Sequence, residues 1–328
     1  MKKAWLFGSV LLIGLLIVVS LTHGKLAISF SALLQVFLGE GTKAQQLLVI
    51  DFRLPRILIA ILAGSALGVS GTILQSITQN PLADSGILGI NAGAGLAVLL
   101  FISFVETSGN VPLLLPFVAL VGALLSAGLI FAAAYKPRIG ITPLRMVLTG
   151  VVLSIGITAI SLLVTSQIDA EKYRFAALWQ AGSIWGSNWT FVWALLPWLL
   201  ALYPLVWRQH RVLDIMQLGD ETSISVGIAV KKSRSRLLLL AAALAGAAVS
   251  VAGGIGFLGL IAPHIARRLG FKKHWELFPA AAILGALILL AADTVGRLLP
   301  GTGELPAGTV VAIIGAPYFL YLMVKETV

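Results

Sequence analysis

Cysteine is absent from the 328 residues, so no disulfide and no thiolate-held metal can form. Histidine is limited to four scattered positions, too dispersed for a ligand cluster. No G-x-x-x-x-G-K-[ST] occurs, so the chain has no loop of its own to cradle ATP phosphates. H-E-x-x-H, a nucleophile elbow and a carboxylate pair are missing too, which leaves no recognisable hydrolytic machinery. Charge is sparse: Asp, Glu, Lys and Arg make up 11% of the chain, about half the usage of a soluble domain. Ionisable residues are nearly absent from the apolar runs, whereas a proton- or sodium-coupled carrier ordinarily keeps one at mid-membrane. Asp293 is the one candidate, and Arg297 one turn later offers it a local ion pair. Energy for any transport is therefore expected to enter through a partner.

What the sequence has in quantity is apolar residues, 59% of the chain, with a mean hydropathy of +1.00. A soluble fold cannot hide that much apolar surface, so the chain reads as an all-α polytopic membrane protein, one transmembrane domain over 1–328. Apolar runs place ten spans at about 4–22, 56–78, 86–105, 112–135, 145–166, 189–207, 236–254, 257–268, 278–297 and 305–324. The first has a basic start but no A-x-A site after it, so it reads as an uncleaved span rather than a signal peptide. The 34 glycines suit close helix packing in lipid.

Ten spans put both termini on one side. With that side inside, sixteen of the 23 basic residues fall on inner segments against six acids, and the whole net charge of +10 lies there. This is the positive-inside pattern, so the basic balance reports topology and not nucleic-acid binding.

"AGSALGVSG" (63–71) and "AGAAVSVAG" (245–253) agree at five of nine positions, and each is followed ten residues later by a proline, Pro81 and Pro263. The two would run in opposite directions. They are either an inverted repeat of the kind transporters use or two small-residue helices alike by chance.

The longest inner connection is "WRQHRVLDIMQLGDETSISVGIAVKKSRSR". Gly219 and Gly227 divide its centre into short helical pieces carrying Met216, Leu218, Ile224, Val226 and Ile228. Such an apolar ridge can fill a groove on another protein or lie flat on the membrane. On the outer side, Arg53 and Arg56 bracket Leu54-Pro55 where basic residues are scarce. They either anchor the second span at the headgroups or receive a partner's carboxylates. The segment 169–189 reads as a short interfacial helix, with Trp179, Trp185 and Trp189 as interfacial aromatics.

Five co-linear blocks then resemble permeases of the iron-siderophore/vitamin B12 family of ABC importers, the type II bundle. They are "RLPR" (53–56), "GVSGTILQSITQNPLADSGILGINAGA" (68–94), "LGDETSISVGI" (218–228), "GGIGFLGLIAPHIARRLG" (253–270) and "ADTVGRLLPGTGELPAGTVVAIIGAPYFLYLM" (292–323). Two positions depart from the family's coupling segment: Ser223, where alanine is usual, and Val226, where leucine is.

The resemblance implies a bacterial cell-membrane permease with cytoplasmic termini, paired with an identical or paralogous second permease and embedded in membrane lipid. It implies an ATPase pair below, which would hold ATP and magnesium, with no cofactor and no catalysis in this chain. It implies a substrate-binding protein or lipoprotein above, docked on Arg53, Arg56 and Arg297. The ATPase would be coupled through Leu218, Gly219, Asp220, Glu221, Ser223, Val226 and Gly227. Gly140, Ile141 and Thr142 would form a cytoplasmic gate, and a face of the fifth span with Thr149, Ser154 and Thr158 would line the pathway. The expected cargo is a ferric siderophore. Cobalamin or haem in the same family is the alternative, and a stand-alone secondary carrier is a more distant one.

Overall fold

The computed structural model describes residues 2–24, 26–86, 89–105, 111–137, 140–299 and 304–326. Its helices are α1 (Lys2–Thr22), α2 (Phe30–Phe37), α3 (Lys43–Gln46), α4 (Leu54–Thr78), α5 (Ile90–Phe104), α6 (Val111–Ala134), α7 (Pro143–Thr165), α8 (Ala170–Gln180), α9 (Trp189–Trp207), α10 (His210–Met216), α11 (Asp220–Ser225), α12 (Val230–Ala252), α13 (Leu258–Arg268), α14 (His274–Leu298) and α15 (Ala307–Glu326). A π-helical stretch, Leu47–Arg53, joins α3 to α4. Among the described residues the only β pairing is an isolated bridge between Lys136 and Gly140.

Among the described residues seven helices are long and apolar enough to cross a membrane: α1, the α3–α4 run, α6, α7, α9, α12 and α14. The shorter apolar helices α5 and α15, and the 11-residue α13, fall in order at the other three runs expected from the sequence.

The centre is built from α4, α12, α13 and α14. α4 and α14 are antiparallel: Arg56 meets Asp293, Gly64 meets Gly285, Gly68 meets Ala281 and Ser76 meets His274. At Gly64, Gly68 and Gly285 an added Cβ would strike the facing helix's backbone, and at Gly71 that of Gly259 on α13. Small residues thus bring backbone against backbone, the packing that lipid-embedded helices favour.

The periphery is different. α1, α7 and α9 expose most of their apolar surface. That suits helices bathed in hydrocarbon or covered by another subunit.

α12 begins at Val230, six residues before the sequence placed it. Hydropathy stopped at the cationic turn Lys231, Lys232, Arg234 and Arg236, which is nonetheless helical. Between the first two expected spans, where no element was expected from the sequence, lie α2 and α3. Ser29 caps α2, and Thr42 with Gln45 forms a reciprocal capping box on α3. The two candidate repeat segments lie in neighbouring helices, with Ser70 Oγ donating to the Ala241 carbonyl. Their local structures diverge: Gly71 lies inside α4, whereas Gly253 ends α12 at φ +72°.

Candidate functional site

Residues of interest gather at opposite ends of the α4–α14 pair. At one end, Arg56 Nε donates to Asp293 Oδ1 and Oδ2 at 2.9 and 3.1 Å, and Nη2 to Oδ1 at 2.8 Å. Its remaining arm, Nη1, donates to Glu304 Oε2 at 2.7 Å. Asp293 is 1% exposed. Arg297 Nε stands 3.5 Å from Asp293 Oδ2, and Arg297 Nη2 donates to the carbonyl and hydroxyl of Ser20 on α1. Arg53, 5% exposed, donates to the Leu21 and Leu26 carbonyls.

The three guanidiniums and Glu304 line a single cavity of about 410 Å³, with Phe52 and Trp185 among its walls. Three cations against two carboxylates leave the cluster one positive charge in excess.

Asp293 meets Arg297 at i,i+4 as expected, and it has a closer second partner in Arg56. Pairing across 237 positions needs the α4–α14 register, which no local spacing reveals. Receiving a partner's carboxylates would favour exposed guanidiniums. Arg53 is instead buried on carbonyls, and Arg56 is largely spent on its two acids.

At the other end, α10 and α11 form two short helices. Gly219 (φ +102°) and Gly227 (φ +87°) adopt the left-handed turns that glycine permits. Ser223 is fully buried, and its hydroxyl donates to the carbonyls of Gly219 and Ile215 at 2.7 and 3.2 Å. An alanine would not make that tie between the helices. Asp220 opens α11 and pairs with Arg234 of α12 at 2.8 Å. Glu221 stands in the same first turn, where negative charge favours the helix dipole. Leu218, Ile224 and Val226 are 67%, 62% and 61% exposed. This is an apolar ridge left uncovered by the described residues.

The ridge is fastened beneath. Asp214 Oδ1 accepts both the ring Nδ1 of His274 at 2.6 Å and the His274 backbone N–H at 2.9 Å. His274 Nε2 lies 2.7 Å from Ser76 Oγ on α4. Gln79, in the "QNPLA" turn, donates to the Met216 carbonyl at 3.2 Å. Arg267 of α13 donates to Gln75 and Ser76. Asp214, His274, Arg267 and Gln79 were not singled out in the sequence as a group. They lie on four separate elements, and only the fold joins them.

Gly140 (φ +80°) closes a short loop by exchanging hydrogen bonds with Lys136 at 2.7 and 3.2 Å, and a Cβ there would lie 3.3 Å from the Lys231 side chain. Arg138 and Ile139 within that loop lie outside the described residues. Ile141 is buried within the chain, and Thr142 precedes α7 as its N-cap.

On α7, Ser154 and Thr158 share a face, with hydroxyls turned back onto Gly150 and Ser154 carbonyls. Thr149 is nine residues before Thr158, about half a turn out of phase. The three cannot line one face of a continuous helix, which corrects the single-face expectation. Trp185 is exposed as expected of an interfacial residue, but Trp179 is buried, with its backbone carbonyl against the Gly253-Gly254 turn that ends α12. Trp189 donates to the Ile50 carbonyl at 3.1 Å.

Over residues 11–325 the chain matches the model of the FecCD transport family. It is 46% identical over 320 residues to the iron(3+)-hydroxamate import system permease protein FhuG of Bacillus subtilis (strain 168), covering 96% of this chain and 95% of that protein. The hemin transport system permease protein HmuU of Yersinia pestis is 38% identical, over 94% of this chain and 91% of its own length. A solved ABC transporter, described as of metal-chelate type and captured in an inward-facing conformation, superposes with a TM-score of 0.84. It is 29% identical, and the match covers 98% of this chain and 99% of that one.

Proposed function

The chain belongs to the FecCD transport family, and from that premise we propose that it is the permease subunit through which an ABC importer carries a ferric siderophore across the cell membrane. The observation that carries this reading is the exposed ridge Leu218, Ile224 and Val226, fastened to the core through Asp214 and His274. An uncovered apolar ridge on a rigid mount is what a groove on a separate ATPase would need. ATP and magnesium belong to that ATPase, so this chain transmits motion and catalyses nothing. The basic α10–α11 end faces the cytoplasm, with both termini, in keeping with the positive-inside rule.

The opposite end receives the loaded binding protein. Arg53, Arg56 and Arg297 together hold more positive charge than their two carboxylates neutralise, which favours an acidic partner. A docking carboxylate would compete with Glu304 for Arg56 Nη1. The sparsely covered α7, with the C-terminal half of α15, serves as the contact with a second permease and as the wall of the pathway between them, with Thr142 at its inner end and Ile141 packed behind it.

Similarity to FhuG makes a ferric hydroxamate the first cargo to test, and similarity to HmuU favours haem as the second. The experiment is uptake into proteoliposomes holding the permease, its ATPase and its binding protein. Uptake of ferric hydroxamate that requires internal or external ATP on the ATPase face, and survives an uncoupler, supports the proposal. Uptake by the chain alone that collapses with the uncoupler sinks it in favour of a secondary carrier.

A further inference from the structure

α6 and α12 touch where Gly246 meets Ala123; a Cβ on Gly246 would lie 3.1 Å from that of Ala123. Toward the cationic start of α12 the two helices separate. The gap is a crevice of about 500 Å³, backed by Ile90 of α5 and walled by Gly128, Phe131, Leu238, Leu239 and Ala242. That volume falls within the roughly 300–1,000 Å³ of small-molecule sites. A Cβ on Gly128 would meet nothing within 4 Å, so the space is open there.

The walls are almost entirely carbon, and the polar groups lie at one end, at Ser235 and Arg236. Lys232 is one turn before Arg236 on the same face of α12. Both side chains are exposed, and neither enters an ion pair among the described residues. Lys136, just beyond the end of α6, is exposed as well.

We propose that this crevice binds one anionic phospholipid, with an acyl chain between α6 and α12 and the phosphodiester on Arg236 and Lys232. The walls belong to spanning helices, so the crevice opens to hydrocarbon and a lipid tail is at hand to fill it. Water gains nothing there, because an apolar cavity offers it no partners. A polar iron chelate gains nothing either. The two unpaired cations at the mouth choose the headgroup: they stand at the basic end of the bundle, where the inner leaflet presents anionic lipid, and each surface cation adds attraction.

Native mass spectrometry of the full chain in mild detergent tests this. The chain is titrated with phosphatidylglycerol or with phosphatidylcholine of identical acyl chains. Wild type should retain one phosphatidylglycerol at a concentration about tenfold lower than phosphatidylcholine. Gly128→Leu, which fills the crevice and keeps the charges, should lose that retention. Lys232→Gln with Arg236→Gln should bring phosphatidylglycerol down to the phosphatidylcholine level and leave phosphatidylcholine unchanged. Equal retention of the two lipids by wild type overturns the proposal, as does unaltered phosphatidylglycerol retention in either variant.

Discussion

The carboxylate of Asp214 holds both the imidazole and the backbone N–H of His274, at 2.6 and 2.9 Å through the same oxygen. One short side chain thereby fixes α10 to the first residue of α14. Asp214→Ala should leave the permease folded and bound to its ATPase while loosening the link. The measurement is ferric siderophore delivered per ATP hydrolysed. We expect that ratio to fall several-fold with hydrolysis largely kept. A normal ratio would remove the link from the coupling route.

Arg56 and Glu304 should differ sharply in what they hold. Removing Arg56 leaves buried Asp293 with only the longer contact to Arg297, a loss bounded by the roughly 3–5 kcal/mol of a fully broken buried pair. Glu304 is half-buried, and its loss leaves Arg56 still paired with Asp293. Thermal unfolding in detergent should show Arg56→Gln much less stable than Glu304→Gln. Arg56→Leu combined with Asp293→Leu should recover most of the loss.

For the same reason, an Arg56→Glu variant cannot report on docking, because it sets a second carboxylate against Asp293. Glu304→Gln is the cleaner probe. It frees Arg56 Nη1 for an incoming acid, so capture of the binding protein should tighten, by about 0.2–1 kcal/mol if the new pair is solvent-exposed. Surface plasmon resonance at low and high salt would read it. No change at either salt would count against a role for Arg56 in docking.

Leu218→Asp and Ile224→Asp put charge on the exposed ridge and disturb nothing buried. Both should abolish co-purification of the ATPase while the permease keeps its thermal stability. Retained ATPase would mean that the ridge lies against something else, such as the membrane surface.

Gly71→Ala should be far more harmful than Gly156→Ala, although both sit within helices where alanine is favoured by up to about 1 kcal/mol. At position 71 a methyl group would collide with the Gly259 carbonyl, whereas at 156 it meets nothing within 4 Å. Expression and melting temperature of the two variants would decide it.

The spans were legible because crossing a membrane demands a long apolar run, and α12 was misplaced only where that run gives way to cations. α2 and α3 were missed although Ser29 and the Thr42–Gln45 box mark their starts, because attention to hydropathy passes over short caps in a polar connection. The α10–α11 pair was readable from Gly219 and Gly227. The Arg56–Asp293–Glu304 cluster and the Asp214–His274 link were not. Each joins residues far apart in sequence, and the α4–α14 register that unites them is set by glycine packing and carries no charge pattern. The error on α7 was of another kind: Thr149 and Thr158 are helical antipodes by counting alone.

Where two helices touch bone to bone, as α4 and α14 do at Gly64, Gly68 and Gly285, there is no cushion of side chains to shear or rearrange. Such a couple behaves like a stiff bar, with the arginine cluster welded to one tip and the seat of α10 to the other. A tug at either tip would arrive undiminished at its opposite. Whatever give the bundle has is then left to its thinly clad members, α7 above all.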